Sequence, residues 1–176
     1  VYEGRKVKQN DPSDTINAYF DSLTENLPDE TKNDLKQKYS RFTKLAEASS
    51  RINLIGFDIY GHFVNYCMPK GLKAMVVCSS RAHAVRYFLA MKDFCTKKGY
   101  DNIKPLVAFS GSVSYMGTEY TESQLNSTED LKISETALPL YFGSDIFNVL
   151  IVAEKYQTGF DEPKLHSMFV DKRLKD

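Results

Sequence analysis

Three short apolar runs constrain the fold of this chain more than any other feature. They are Lys73–Cys78, Ile103–Phe109 and Phe147–Ala153, and the last contains the unbroken sequence Val-Leu-Ile-Val-Ala. Apolar runs that do not alternate with polar residues are typical of strands buried on both faces, the usual state in a parallel sheet. Strands of this kind separated by helical patterns predict an α/β fold with right-handed crossovers.

Two segments show the period of an amphipathic helix. Apolar residues from Ala84 onward predict a helix that runs to about Lys98 and stops at Gly99. A more apolar pattern over 51–68 predicts a helix that ends near Pro69-Lys70-Gly71, with His62 as a structural or surface histidine. Upstream, residues 14–48 predict a charged helical pair, interpreted as a solvated insertion, and residues 1–8 predict an edge strand.

The remaining segments give weaker patterns. Residues 116–128 are polar without a clear period and predict a long loop. Residues 131–142 predict a short helix interrupted at Pro139, and Met168–Val170 predicts a last, short strand. All 176 residues are therefore expected to form one α/β domain with the helical insertion near its amino terminus.

Missing motifs exclude several classes of protein. The sequence contains no phosphate-binding G-x-x-x-x-G-K-[ST], no dinucleotide-binding G-x-G-x-x-G, no H-E-x-x-H and no G-x-S-x-G. The balance of 23 basic and 23 acidic residues argues against a free-standing DNA-coating protein. No apolar run approaches the roughly 20 residues of a membrane span. Three scattered cysteines without a C-x-x-C spacing favour reduced thiols in a cytoplasmic protein.

Two short motifs resemble metal sites. An apolar strand that ends at Glu154 is similar to the strand that holds magnesium in phosphate-loop enzymes, but the phosphate loop itself is missing. Glu162-Pro163-Lys164 matches the E-x-K of a nuclease core, although a proline between the two ligands is awkward for a strand. Neither motif predicts a metal site in this chain.

Three loops at predicted strand ends carry phosphate-binding groups. They are Ser79-Ser80-Arg81, Ser110-Gly111-Ser112 and Gln157–Asp161, and each offers hydroxyls, backbone N–H groups or a cation. Together along one sheet edge they are compatible with a track for a nucleic-acid backbone. Each also has an ordinary structural explanation, because serine commonly caps a helix, glycine serves turns and arginine can be a surface charge.

Several of these stretches together resemble a known family. Lys73–Arg81 (KAMVVCSSR), Leu106–Gly111 (LVAFSG) and Val149–Leu174 (VLIVAEKYQTGFDEPKLHSMFVDKRL) are similar in order and spacing to the restriction (R, motor) subunit of type I restriction-modification enzymes. Tyr2–Arg5 and residues 58–63 resemble the same family, whereas residues 14–48 match it least. The resembling part of that subunit is its second RecA-like lobe, in the C-terminal half of a helicase-type motor.

The resemblance implies a three-layer, phosphate-loop-NTPase-like lobe of a superfamily-two translocase that uses ATP to pump duplex DNA. Its motif IV implies DNA-backbone contacts at Ser79, Ser80 and Arg81. The same DNA-facing edge would contain Ser110 and Gly111. Its motif V implies a DNA phosphate contact at Thr158 and a nucleotide-side role for Gly159 and Asp161.

The resemblance also implies partners and cofactors that this chain does not itself provide. The parent motor would bind ATP and Mg²⁺ mainly through a first RecA-like lobe, and would assemble with methyltransferase (M) and specificity (S) subunits on duplex DNA. The first lobe, the nuclease domain and the arginine-bearing motif VI are absent from these 176 residues. We therefore expect no ATPase or nuclease activity, no catalytic residue and no metal site in this chain alone. Two alternatives stay open, which are a lobe of another DNA repair or remodelling motor and a non-catalytic α/β interaction domain.

Overall fold

The computed structural model describes residues 50–156 and 160–172. The chain divides into two units, Val1–Ile55 and Gly56–Asp176. Of the first unit, only residues 50–55 are described, and they are helical. The predicted strand at residues 1–8 and the predicted helical pair at 14–48 lie outside the described residues.

The second unit begins with helix α1, residues 56–62, which continues through a π-helical turn, Phe63–Cys67, and a 3₁₀ turn, Met68–Lys70. It ends at Gly71, whose φ of 64° is left-handed, as the sequence predicts for a glycine that terminates a helix. The aromatic rings of Tyr66 and Phe169 lie next to the imidazole of His62, which fits a structural role for this histidine.

The rest of the second unit alternates strands and helices. Along the chain these are β1 (Lys73–Cys78), α2 (Arg81–Lys98), β2 (Pro105–Ala108), β3 (Ser112–Tyr115), β4 (Thr118–Thr121), α3 (Glu122–Asn126), α4 (Leu138–Gly143), β5 (Val149–Val152) and β6 (Leu165–Asp171). The three apolar runs became β1, β2 and β5. Helix α2 begins after Ser80 and ends at Gly99, which has a φ of 68°. The predicted last residue, Lys98, and the predicted stop at Gly99 are both confirmed.

Strands β1, β2, β5 and β6 form one sheet in the order β2-β5-β1-β6, and every neighbouring pair is parallel. All residues of β1 and β5 are buried, which confirms the interpretation of their apolar runs as central strands. The last strand is longer than predicted, because β6 extends from Leu165 to Asp171 and alternates half-buried with exposed residues. Such alternation is typical of a strand at the edge of a sheet, where one face stays open.

Different elements cover the two faces of this sheet. One face forms a core cluster in which Met75, Leu106 and Leu150 pack with Phe142 and other buried residues of the segment from Ile133 to Phe147. Helix α2 contacts β1, β2 and β5 but contributes no residue to that cluster, so it covers the opposite face. The structure is thus an α/β unit with a parallel four-stranded sheet, which is compatible with the predicted RecA-like class.

Two predictions about connecting segments are wrong. Residues 116–128 are not a long loop, because β3 and β4 pair as an antiparallel hairpin and α3 follows directly. The turn of this hairpin uses left-handed Met116 and Gly117, with φ of 51° and 80°, as a type I′ turn requires. Pro139 lies in the first turn of helix α4, where proline is tolerated, and does not interrupt a longer helix.

The cysteines and helices give two further findings. Cys67, Cys78 and Cys95 are buried, unpaired thiols. Within residues 50–156 and 160–172, no helix has the length and hydropathy required to cross a membrane.

Candidate functional site

The carboxyl edge of the sheet gathers most of the residues predicted to contact DNA. Because β1, β2 and β5 are parallel, the segments that follow them leave from the same edge. Strand β5 lies between β1 and β2, so Ser79–Arg81 and Ser110–Gly111 flank the beginning of the loop after β5. We call Ser79, Ser80, Arg81, Ser110 and Gly111 the strand-end cluster.

Ser80 caps helix α2 at this edge. Its backbone is extended, with φ of −155° and ψ of 164°, and its hydroxyl accepts a hydrogen bond from the backbone N–H of His83 at 3.3 Å. The hydroxyl of Ser79 is hydrogen-bonded to Nδ1 of the same histidine. The first turn of α2 contains no acidic residue. The N–H groups at the start of α2 and the positive end of the helix dipole therefore make this edge favourable to an anion.

Arg81 links the segment after β1 to the segment after β2 within the strand-end cluster. One terminal nitrogen of its guanidinium, Nη1, donates to the carbonyl of Ser110 at 3.1 Å and to that of Ser112 at 3.3 Å. Gly111, between these two carbonyls, has a φ of 72°, a conformation that favours glycine. The side chain of Arg81 is itself exposed. This arginine thus fixes the loop after β2 while keeping its charge at the surface.

The β3–β4 hairpin stands beside this cluster. It contacts α2, where the guanidinium of Arg86 lies 5.0 Å from the centre of the Tyr115 ring. Within the hairpin, the hydroxyl of Ser112 donates to Glu119 at 2.6 Å. Met116, at the tip, is 76% exposed. The hairpin was not found from the sequence; its only signals were the alternating pattern after Gly111 and the glycine at 117.

The loop after β5 begins in a strained backbone conformation. Glu154 and Tyr156 both have left-handed φ angles, of 62° and 58°, although neither is glycine. Lys155 lies between these two residues in the sequence. Its ammonium is 3.0 Å from a carboxylate oxygen of Glu122 and 2.7 Å from one of Glu135. The same Glu122 oxygen accepts a hydrogen bond from the backbone N–H of Phe109 at 2.9 Å.

Glu122 and Lys155 form a largely buried ion pair, with side chains only 4% and 15% exposed. Burial raises the pKa of Glu122, and the opposing effects of Lys155 and the Phe109 N–H do not fully offset it. Burial disfavours the charge of Lys155 too, but the hydrogen bonds that its ammonium donates to Glu135 and Glu122 outweigh this effect and raise the pKa of Lys155. The two pKa shifts thus have different causes. Pairing stabilises the charged form of Lys155, whereas burial destabilises the charged form of Glu122. Sequence reasoning missed both residues.

The predicted DNA contact Thr158 and the predicted nucleotide-side residues Gly159 and Asp161 lie away from the strand-end cluster or outside the described residues. Thr158 and Gly159 are not described. Asp161 is exposed and directly precedes a turn in which the N–H of Leu165 donates to the carbonyl of Glu162 at 2.9 Å. The carbonyl of Lys164 accepts from the N–H of Lys73 at 2.8 Å, at the amino end of β1. The loop after β5 thus begins at the carboxyl edge but returns to the opposite edge, and Asp161 is not brought next to the strand-end cluster.

The described residues contain no group of three or more His, Cys, Asp or Glu side chains able to hold a metal ion. Neither Glu154 nor Glu162 is part of such a group. Glu162 instead lies 3.9 Å from the ammonium of buried Lys73. In the strand-end cluster, the hydroxyls of Ser79 and Ser80 and the guanidinium of Arg81 can donate hydrogen bonds, which suits a phosphate better than a cation.

Comparison with known proteins gives one informative similarity. No family model matches the chain. The chain is 28% identical over 183 aligned positions to a protein of Methanocaldococcus jannaschii, provisionally named as a type I restriction enzyme MjaIXP endonuclease subunit. The alignment covers 99% of this chain but only 16% of that relative. The similarity therefore concerns one segment of a much longer protein.

Proposed function

We propose that this chain is the second RecA-like lobe of the ATP-driven DNA translocase in the restriction subunit of a type I restriction enzyme. The lobe would grip the backbone of duplex DNA while ATP is hydrolysed between it and a first lobe. The observation that carries the proposal is the contact of Arg81 with the Ser110 carbonyl, at the edge where α2 begins. The name of the relative from Methanocaldococcus jannaschii supports the assignment to a type I restriction enzyme subunit.

The DNA side of the proposed motor is the strand-end cluster. Phosphate oxygens would be bound by the N–H groups of the first turn of α2, by the hydroxyls of Ser79 and Ser80 and by the charge of Arg81. None of these groups would contact a base edge, so binding would not depend on the DNA sequence. A motor that moves along DNA needs a grip of this kind, and recognition of a DNA site would belong to the specificity subunit.

The nucleotide side of the proposed motor is formed by Gly159 and Asp161, whereas Thr158 beside them would contact a DNA phosphate. ATP and Mg²⁺ would be bound mainly by the first lobe, which supplies the phosphate cradle and the metal ligands. The role of this chain is then to place Gly159 and Asp161 against the nucleotide and to move the strand-end cluster when the cleft between the lobes closes. The methyltransferase and specificity subunits would complete the enzyme.

The test is the ATPase rate of the full-length parent protein with its partner subunits, with and without duplex DNA. Wild type should hydrolyse ATP faster when DNA is added, and Asp161→Ala should lose most of this stimulation. The matched control is Asp101→Ala, which removes an exposed aspartate from the turn before β2. Equal DNA stimulation in the two variants would remove Asp161 from the nucleotide side.

The same measurement separates the alternatives. A parent protein without DNA-stimulated ATPase would contradict the motor function and favour a non-catalytic α/β interaction domain. A DNA-stimulated ATPase in a parent that lacks a nuclease domain would favour a repair or remodelling motor. DNA-stimulated hydrolysis together with DNA cleavage would support the restriction subunit.

A further inference from the structure

The loop after β5 begins in a conformation that its own backbone disfavours. Left-handed φ angles at Glu154 and Tyr156, two non-glycine residues separated by one position, are uncommon. Such conformations persist only where surrounding contacts hold them, and they concentrate at functional sites. The contacts that hold this loop are therefore informative about its function.

Lys155 supplies the main polar contact of this segment. Its ammonium reaches across to Glu122 of α3, at 3.0 and 3.3 Å from the two carboxylate oxygens, and to Glu135 at 2.7 Å. It also lies 5.1 Å from the centre of the Tyr156 ring. Each left-handed residue is thus directly adjacent to Lys155, whose side chain is anchored to Glu122 and Glu135. A change in the loop backbone would have to move this ammonium.

Glu122 connects that ammonium to the loop after β2. One of its carboxylate oxygens accepts both from Lys155 and, at 2.9 Å, from the N–H of Phe109. The carbonyl of Ser110, the next residue along the chain, accepts from Arg81. Hydrogen bonds at both ends, linked by the covalent backbone of Phe109 and Ser110, therefore join Lys155 to Arg81 through Glu122.

Burial makes the Glu122–Lys155 part of this path stiff. The Glu122 side chain is almost fully enclosed and Lys155 is mostly enclosed, so water cannot readily replace either partner. A charge pair shielded from water also interacts more strongly than an exposed one. Displacement of one end should therefore be passed to the other end instead of being absorbed by solvent.

The geometry points to Glu122 and Lys155 as positioning residues that couple the loop after β5 to the DNA-gripping contact between Arg81 and Ser110. This inference rests on the proposed motor function, in which that loop continues into the nucleotide-side residues. Neither residue touches DNA or nucleotide in this role. They transmit the position of one loop to the other.

A purely structural role is the competing explanation. Glu122 would then only satisfy the Phe109 N–H at the edge of the sheet, and Lys155 would only neutralise Glu122. That role predicts lower stability after mutation but normal communication between DNA and nucleotide in the protein that remains folded. The two explanations therefore differ in the ratio of ATPase rates with and without saturating DNA.

The experiment measures this ratio in the full-length parent protein with its partner subunits, at saturating ATP, for wild type, Lys155→Met, Lys155→Arg and Glu122→Gln. Lys155→Met should lower the ratio about tenfold, the size of a typical coupling between sites. Lys155→Arg keeps the charge and should restore most of it. Glu122→Gln, which is isosteric and keeps an acceptor for Phe109, should still lower it. The matched control is Lys97→Met, which removes an exposed lysine paired with Asp93 on α2.

The outcomes separate the two hypotheses. A wild type without DNA stimulation would contradict the proposed function and this inference together. A stimulated wild type with an unchanged ratio in Lys155→Met would overturn only the inference. If Lys155→Met does not fold, Glu122→Gln decides. A double variant Glu122→Gln, Lys155→Met with a ratio no lower than that of the worse single variant supports one shared path, whereas additive losses contradict it.

Discussion

The side-chain amide of Asn126 forms both hydrogen bonds of a β-bridge with the backbone of Val107. Its Oδ1 accepts from the Val107 N–H at 2.9 Å, and its Nδ2 donates to the Val107 carbonyl at 2.7 Å. Because β2 is an edge strand, this backbone would otherwise be open for pairing with another chain. Glu122, one helical turn earlier in α3, satisfies the Phe109 N–H in the same way. Helix α3 thus closes this edge of the sheet with side chains instead of a strand.

Replacing Asn126 with leucine should lower the free energy of unfolding by about 3 kcal/mol, because two buried backbone groups lose their partners. Urea denaturation of the purified protein measures this change. Asn148 provides a matched control, since it bonds the Lys104 N–H at 3.1 Å and the Asn102 carbonyl at 2.7 Å at a more accessible site. Asn148→Leu should cost about 1 kcal/mol or less, because water can replace the amide. Equal losses in both variants would contradict this account.

Because of Lys73, the stability of the folded protein should change with pH in the alkaline range. Its side chain is 3% exposed, and its ammonium donates to the carbonyls of Phe142 and of Ser144, the latter at 2.7 Å. Burial lowers its pKa from the usual 10.5, and the charge of Glu162 offsets this only in part. A lowered pKa in the folded state means that the unfolded state holds the proton more tightly between the two pKa values. The contribution of Lys73 to the free energy of unfolding should therefore increase as the pH rises towards 10.5.

The variant Lys73→Met isolates this contribution, because all other titrating groups are shared with wild type. The difference in unfolding free energy, wild type minus variant, should grow from pH 7.5 to pH 10 in urea titrations. Lys97→Met, at an exposed ion pair, is the matched control. A difference for Lys73→Met that narrows with rising pH would have the wrong sign and would refute the assignment.

The thiol of Cys78 should resist alkylation in the folded protein. It is 2% exposed at the end of a central strand, and burial, followed by the charge of Asp171, raises its pKa. Burial also raises the pKa of Cys95. Because the thiolate is the reactive form, iodoacetamide at pH 8 should label Cys78 at least about a hundredfold more slowly in the native protein than in urea. Mass spectrometry of peptides quantifies the labelling, and rapid native labelling of Cys78 would contradict its position in the core.

Residues with a strong local pattern were predicted well from the sequence. The central strands β1 and β5 were found because uninterrupted apolar runs have few alternatives, and Gly99 ended α2 as expected. The hairpin was missed because its turn places a methionine, Met116, in a left-handed conformation that sequence rules reserve for glycine and asparagine. Local pattern and local conformation disagree at that residue.

The candidate site was predicted only in part. The strand-end cluster could be anticipated, since parallel strands bring their carboxyl ends to one edge. Glu122 and Lys155 could not, because their sequence separation of 33 residues leaves no local pattern and a charged residue usually predicts exposure. The position of Asp161 follows from the return of the chain to the amino edge of β6, which depends on where that strand begins. The positions of the strand-end cluster, of the Glu122–Lys155 pair and of Asp161 all depend on which segments pair in the folded protein.

Arg81→Ala should weaken binding of duplex DNA by the full-length parent protein and flatten its dependence on salt. An arginine that neutralises one phosphate releases about one counterion, so the slope of log K against log salt should fall in magnitude by about one. Arg81→Lys retains the charge and should retain the slope. It should still bind more weakly, since lysine lacks the planar guanidinium whose Nη1 reaches the carbonyls of both Ser110 and Ser112. Lys98→Ala removes an exposed charge at the other end of α2 and should leave the slope unchanged. A slope in Arg81→Ala that equals that of Lys98→Ala would exclude Arg81 as a phosphate contact.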